Sequence, residues 1–261
     1  MLIALTVILI VLILLVCGDR GAKSIITTAL HGCLLLAAVY LIYRGLPPVL
    51  VTAAACLLIS AVTCFYQNDG DIKSRLAFLS VAAVILILTP FVYYIAEGAA
   101  LGGFNSEQYE ITDTNGYTRN IAMDMLALQI SVMLIALIGT VVDIAIAITS
   151  SIYEIHQAGG AGDFGRLAAS GFIASRAILN TSIHTIFYIY IAEYLTLMIQ
   201  YVDEYSLVRL VNSKSFCQEF LSISISGLGC CLIVPAATLL SAAVFVDKKP
   251  RKRADKKKES V

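Results

Sequence analysis

Asp143 stands in the run GTVVDIAIAITSSIYEI with Val, Ile and Ala on both sides. An ionised carboxylate is costly to hold in such surroundings, and at membrane depth it points to binding or moving something charged. Glu154 follows 11 residues later, about three helical turns on, so the two carboxylates share one helix face. Thr140, Ala147 and Ser150 or Ser151 lie along the same stripe. A second run, FIASRAILNTSIHTIFYIY, carries Arg176, Asn180 and His184 at i, i+4 and i+8. Were the two runs antiparallel helices, Glu154 would come level with Arg176. Asp143, roughly 16 Å deeper, would come close to His184, roughly 12 Å beyond Arg176. A buried Asp near a His can exchange a proton near neutral pH, which coupled transport requires. Two readings of Asp143, Glu154, Arg176, Asn180 and His184 stay open. They are a protonatable or cation-accepting site exposed alternately to two sides, or pairs that only hold helices together.

The elements that must position these residues are apolar blocks. The chain has 261 residues, 59% hydrophobic and 14% charged, with mean hydropathy +0.87. Soluble domains are nearer about half apolar and about a quarter charged. The blocks run to about 20 residues, the length that crosses a hydrocarbon core about 30 Å thick. The fold class is therefore all-α, a polytopic membrane protein with about seven transmembrane helices in a single domain over 1–246. The expected spans are about 1–16, 24–43, 49–65, 74–96, 120–155, 172–201 and 216–245. The first lacks a basic n-region and a good cleavage site, so it reads as an uncleaved span rather than a signal peptide. Asn120 is expected to cap the fifth span, and Asp124 to sit in its first turn, where a carboxylate opposes the helix dipole. Pro90 is a candidate kink in the fourth span. Gly227, Gly229 and Pro235 invite a bend or close contact in the seventh. Thr52, Cys56, Ser60 and Cys64, with Ser222 and Ser226, read as helix-packing faces.

Eight of the 18 Lys and Arg residues lie in the last 14 positions. Nothing aromatic is interleaved with them, so the tail at 247–261 reads as disordered, cytoplasmic and near anionic lipid, not as a nucleic-acid binder. With the tail inside, seven spans put 14 basic residues on the inner side and 4 on the outer, Arg44, Arg119, Arg209 and Lys214. That asymmetry predicts an outside N-terminus and a cytoplasmic C-terminus. Tyr supplies the interfacial belt, since Trp is absent. The seven cysteines show neither metal nor disulfide spacing and read as packing residues. Glu193 reads as interfacial. The stretch HQAGGAGDFGRLAASG lacks the phosphate-loop patterns and reads as a flexible or partly re-entrant connector. No HExxH or GxSxG motif is present, and no nucleophile accompanies His184, so the expectation is no enzyme, no cofactor and no metal.

The sequence resembles the YibE/F family of bacterial multipass membrane proteins. GTVVDIAIAITSSIYEI is similar to that family's G-x-x-x-D-x-A-x-S-I segment ending in Glu, with Gly139, Asp143, Ala145 and Glu154 matching. SGFIASRAILNTSIHTIFYIY resembles its SG-x-x-x-G-R-D block and later Asn-Thr-Leu and Tyr positions, through Ser170, Gly171, Arg176, Thr185 and Tyr190. The chain departs from the pattern at Ser175 and Ala177, where the family tends to have Gly and Asp around the Arg, and at His184, where it tends to have Asn. The resemblance implies a bacterial cell-membrane protein of the shorter, YibF-like kind, working with a longer YibE-like paralogue. The role implied is that of a transporter or permease subunit without an established substrate. A homo-oligomer is the other assembly, and a non-transporting structural or regulatory subunit is the other role.

Overall fold

The computed structural model describes residues 1–99, 124–159, 163–204 and 206–246, and among them every regular element is a helix. The elements are α1 (Leu2–Tyr43), α2 (Pro48–Ala61), a π-helical turn (Val62–Gln67), α3 (Ile72–Gly98), α4 (Met125–Gln157), α5 (Phe164–Glu204), the short α6 (Leu207–Val211) and α7 (Lys214–Val246).

Five helical stretches are long and apolar enough to cross a membrane among the described residues: α1, α2 with its π turn, α3, α4 and α7. The expected seven is not confirmed among the described residues. The first two expected spans both lie in α1, which is two helices joined across a kink inside GDRGAK. Gly18 alone leaves helical conformation there, at φ 53 and ψ −131, a left-handed region that only glycine enters without strain. The sixth expected span lies within α5, which is as long as α1 but is diluted by Arg176, Asn180 and His184.

Other boundaries also move. Helix α4 starts at Met125, with Asp124 as its cap: one carboxylate oxygen accepts from the Leu126 N–H at 3.0 Å and the Ala127 N–H at 3.3 Å. Asn120 lies outside the described residues. The glycine-rich connector is largely helix, since α5 begins at Phe164. The run Arg166–Leu167–Ala168–Ala169 consists of strong helix formers, and they override the preceding glycines. The basic tail at 247–261 and the acidic stretch at 100–123 lie outside the described residues.

Helix α4 is the centre of the bundle and packs against α2, α3, α5 and α7. Its inward stripe, Ile130, Met133, Leu134, Leu137, Ile144, Ile148 and Ile152, is fully buried and follows the i, i+3, i+4, i+7 period of one helix face. Close approach to α7 rests on Gly229, where a Cβ would overlap Leu137 Cδ1 and press on Val141. Because lipid is as apolar as leucine, such packing and interhelical hydrogen bonds hold the bundle. Ser175 Oγ lies 3.2 Å from Thr238 Oγ1, and Tyr190 OH donates to Ser222 Oγ at 2.9 Å. Both tie α5 to α7. All six residues read as packing faces, Thr52, Cys56, Ser60, Cys64, Ser222 and Ser226, are buried. Helix α1 packs instead on α2 and the π turn, and Lys23 is ion-paired to Asp69 in the link before α3.

Candidate functional site

The face of α4 opposite its buried stripe remains open. Val132, Ile135, Ala136, Gly139, Asp143 and Glu154 are exposed along it, a spacing of three to four residues that keeps them on one side of the helix. Helices α1 and α5 flank this face, so α4 floors a furrow with Asp143 part-way along it. Asp143 has no hydrogen-bond or ion-pair partner among the described residues.

Two cavities meet at Asp143. The first, about 260 Å³, lies towards α1 and is lined there by Ser24, Thr27, Thr28 and His31, and beyond them by Thr63 and Gln67 of the π turn. Thr63 Oγ1 donates to the Ile59 carbonyl at 3.0 Å and stands 3.3 Å from His31 Nε2. With that hydroxyl hydrogen committed, the histidine nitrogen is the donor, a tautomer assigned from the network. The π turn widens the end of α2, and the Thr63 carbonyl accepts from both the backbone N–H of Asn68 at 3.2 Å and its side-chain amide at 3.0 Å. Insertions of this kind inside helices recur at functional sites. The second cavity, about 250 Å³, lies towards α5 and is lined by Thr140, Asp143, Thr181, Ser182 and Thr185.

Of the residues singled out in the sequence, Asp143 therefore holds the central place in the furrow. Glu154 is exposed further along the same face. Arg176, Asn180 and His184 are exposed on α5, but none lines either cavity. Asp143 and His184 form no ion pair, and neither do Glu154 and Arg176. The expected depth match is nevertheless real in part, since Asp143 shares its cavity with Thr181 and Thr185, which bracket His184. His184, one residue before Thr185, is turned about 100° away around the helix.

Sequence reasoning missed His31 and its hydroxyl neighbours. Their signal was present: Ser24, Thr27 or Thr28, and His31 recur at i, i+3 or i+4, and i+7 within an apolar run. That is the same periodic polar stripe that drew attention to α5. Among the described residues no three His, Cys, Asp or Glu side chains stand close enough to hold a metal ion.

A family model described as YibE/F-like protein matches residues 5–247, from the start of α1 to the residue after α7. The chain belongs to the YibE/F family. No curated protein and no solved structure matches it. The matched region takes in every helix around the furrow. Some of the residues that carried the YibE/F resemblance are exposed near the furrow and others are buried. Gly139, Asp143 and Thr185 are exposed in or beside the furrow. Ala145 and Gly171 are buried, and a Cβ on Gly171 would press on Ile152 and Thr238 at 2.9–3.0 Å. Of the three departing positions, Ala177 and His184 are exposed on α5, whereas Ser175 is buried against α7.

Proposed function

We propose that this YibE/F chain is a membrane-embedded subunit of a transport complex and works with a longer, YibE-like paralogue. Asp143 is the central residue of the path, and Glu154, Arg176, Asn180 and His184 line its approaches. The observation that carries the reading is the unpartnered Asp143 carboxylate between two cavities lined by hydroxyls and His31, on a helix long and apolar enough to cross a membrane. A carboxylate left in this position requires a ligand, a proton or a second subunit. The chain sits in the bacterial cell membrane with its N-terminus outside and its basic tail cytoplasmic.

Purification from native membranes in mild detergent is expected to retain a larger paralogous membrane protein, identified by mass spectrometry. The complex, reconstituted in vesicles, is expected to dissipate an imposed gradient of protons or small cations. Asp143→Asn should abolish that flux and leave the amount of complex unchanged. Unchanged flux in the variant would end the reading.

The open furrow supports a second reading, a non-transporting subunit whose partner simply covers α4. In that case Asp143→Leu would be tolerated, since replacing a buried polar group by an apolar one of similar size is often neutral.

A further inference from the structure

The cavity between α4 and α5 is lined by one carboxylate and four hydroxyls. Each hydroxyl carries one hydrogen and has a carbonyl of its own helix within donating distance, and Thr140 also lies against the Cys230 thiol of α7. Thr140 donates to Leu137 O at 3.1 Å, Ser182 to Ile178 O at 2.9 Å and Thr185 to Thr181 O at 3.0 Å. Thr181 donates between Ala177 O at 3.2 Å and Ile178 O at 2.9 Å. A hydroxyl committed in this way shows only lone pairs to the space it faces, and an ionised carboxylate is acceptor-only as well. Every polar side chain of the wall is then an acceptor. Such a wall favours a cation over an anion, with its oxygens on the α4 and α5 sides of a partly open cavity.

The charge of the wall narrows the class. Asp143 contributes one negative charge, and its hydroxyl neighbours contribute none. Calcium gathers six to eight oxygens, commonly from several carboxylates, and zinc is bound through nitrogen and sulfur. The titratable groups on surrounding helices stay outside this cavity: Arg176 and His184 lie on another face of α5, and His31 lies across Asp143 in the α1 cavity.

We propose that the α4–α5 cavity binds a small monovalent cation, an alkali-metal ion or ammonium. Asp143 supplies the charge, and Thr140, Thr181, Ser182 and Thr185 supply neutral oxygens. The assignment rests on the transport reading above and names the class of its substrate or coupling ion. A proton competes for the same carboxylate.

The test uses the purified full-length chain and dicyclohexylcarbodiimide, which modifies protonated carboxyl groups in apolar surroundings. Modification of Asp143 is followed by peptide mass spectrometry at matched ionic strength. The buffers contain sodium, lithium, potassium or ammonium, with N-methylglucamine, a bulky and weakly coordinating cation, as the control. One of the small cations should slow modification at least about tenfold relative to the control, and the sodium, potassium and ammonium arms separate the sources. Thr181→Val with Thr185→Val should raise the half-protecting concentration, measured relative to the same variant in the control buffer, by about tenfold. Thr185→Ser, which keeps the oxygen, should retain protection.

Modification that follows pH alone, identically in every cation, would overturn the proposal. So would the lack of any modification in the control buffer even at a pH that protonates an ordinary carboxyl, about 4. Cation-indifferent modification with Asp143-dependent flux sinks this site and leaves the transport reading standing. Cation protection without flux does the reverse.

Discussion

Asp143 illustrates how one residue can be conspicuous in sequence while its partners are not. Its flanks are apolar, and burial of an ion among them is costly whatever the fold. Its neighbours are hydroxyls, which satisfy themselves on their own helices and so leave no mark on composition. His31 gains its place through Thr63, 32 residues away. Thr63→Val removes the hydroxyl 3.3 Å from His31 Nε2, and a chemical-shift change at that imidazole is the measurement. At Asp69, outside the spans, the Lys23 ammonium holds the carboxyl below its ordinary range by a hydrogen bond and by charge. A depressed carboxyl stabilises the fold above the unfolded aspartate value, about 3.9, and that contribution is lost as pH falls through the folded value. The α1 anchor should therefore loosen only in acid, and Asp69→Asn should abolish that pH dependence, read as protease sensitivity near Lys23. Both groups are exposed, so at neutral pH the variant should melt close to the parent.

At the scale of elements, α4 is legible as a buried helix because its apolar period is continuous over nine turns. The crossing with α7 could not be read in the same way. Gly229 looks like any membrane glycine until Leu137 is seen against it. Gly229→Val should force the helices apart at a cost of about 1–3 kcal/mol, measured as a fall in melting temperature in detergent. Gly227→Val, where a Cβ meets nothing, serves as its control. Ser175→Ala removes the hydroxyl opposite Thr238 and should cost only about 0.6 kcal/mol, the average for hydrogen bonds inside membrane bundles. Helix α1 is broken where the sequence divides it, within GDRGAK, but more briefly than expected. A loop of six residues was expected where one glycine suffices, because charged residues between apolar runs read as a turn although nothing prevents them from continuing a helix.

For the whole molecule, the consequence is an asymmetric bundle. Helices α2, α3, α4, α5 and α7 form its packed body, and α1 is attached at one side through α2 and the π turn. The furrow between α1 and α5 is what remains. This arrangement predicts which cysteines react. Cys17, Cys33 and Cys231 are exposed, whereas Cys56, Cys64 and Cys230 are buried. N-ethylmaleimide added to the folded protein in detergent should modify the first three well ahead of the others, as judged by peptide mass spectrometry. Equal rates for all six would mean a looser bundle than the one described.

The sequence by itself determined that the chain is helical and built for a bilayer, because length and hydropathy of each block depend on nothing distant. It also singled out Asp143, since the cost of a lone carboxylate among valine and isoleucine is local. Helix period and the resemblance at Gly139, Asp143 and Thr185 were likewise readable there. Only the tertiary structure decided which side chains share a cavity with that carboxylate. Depth along two helices can be counted from residue numbers, but rotation about each axis cannot. A turn of about 100° per residue separates Thr185 from His184. That angle is set by packing against α7 through Ser175 and Tyr190, contacts made with residues far along the chain.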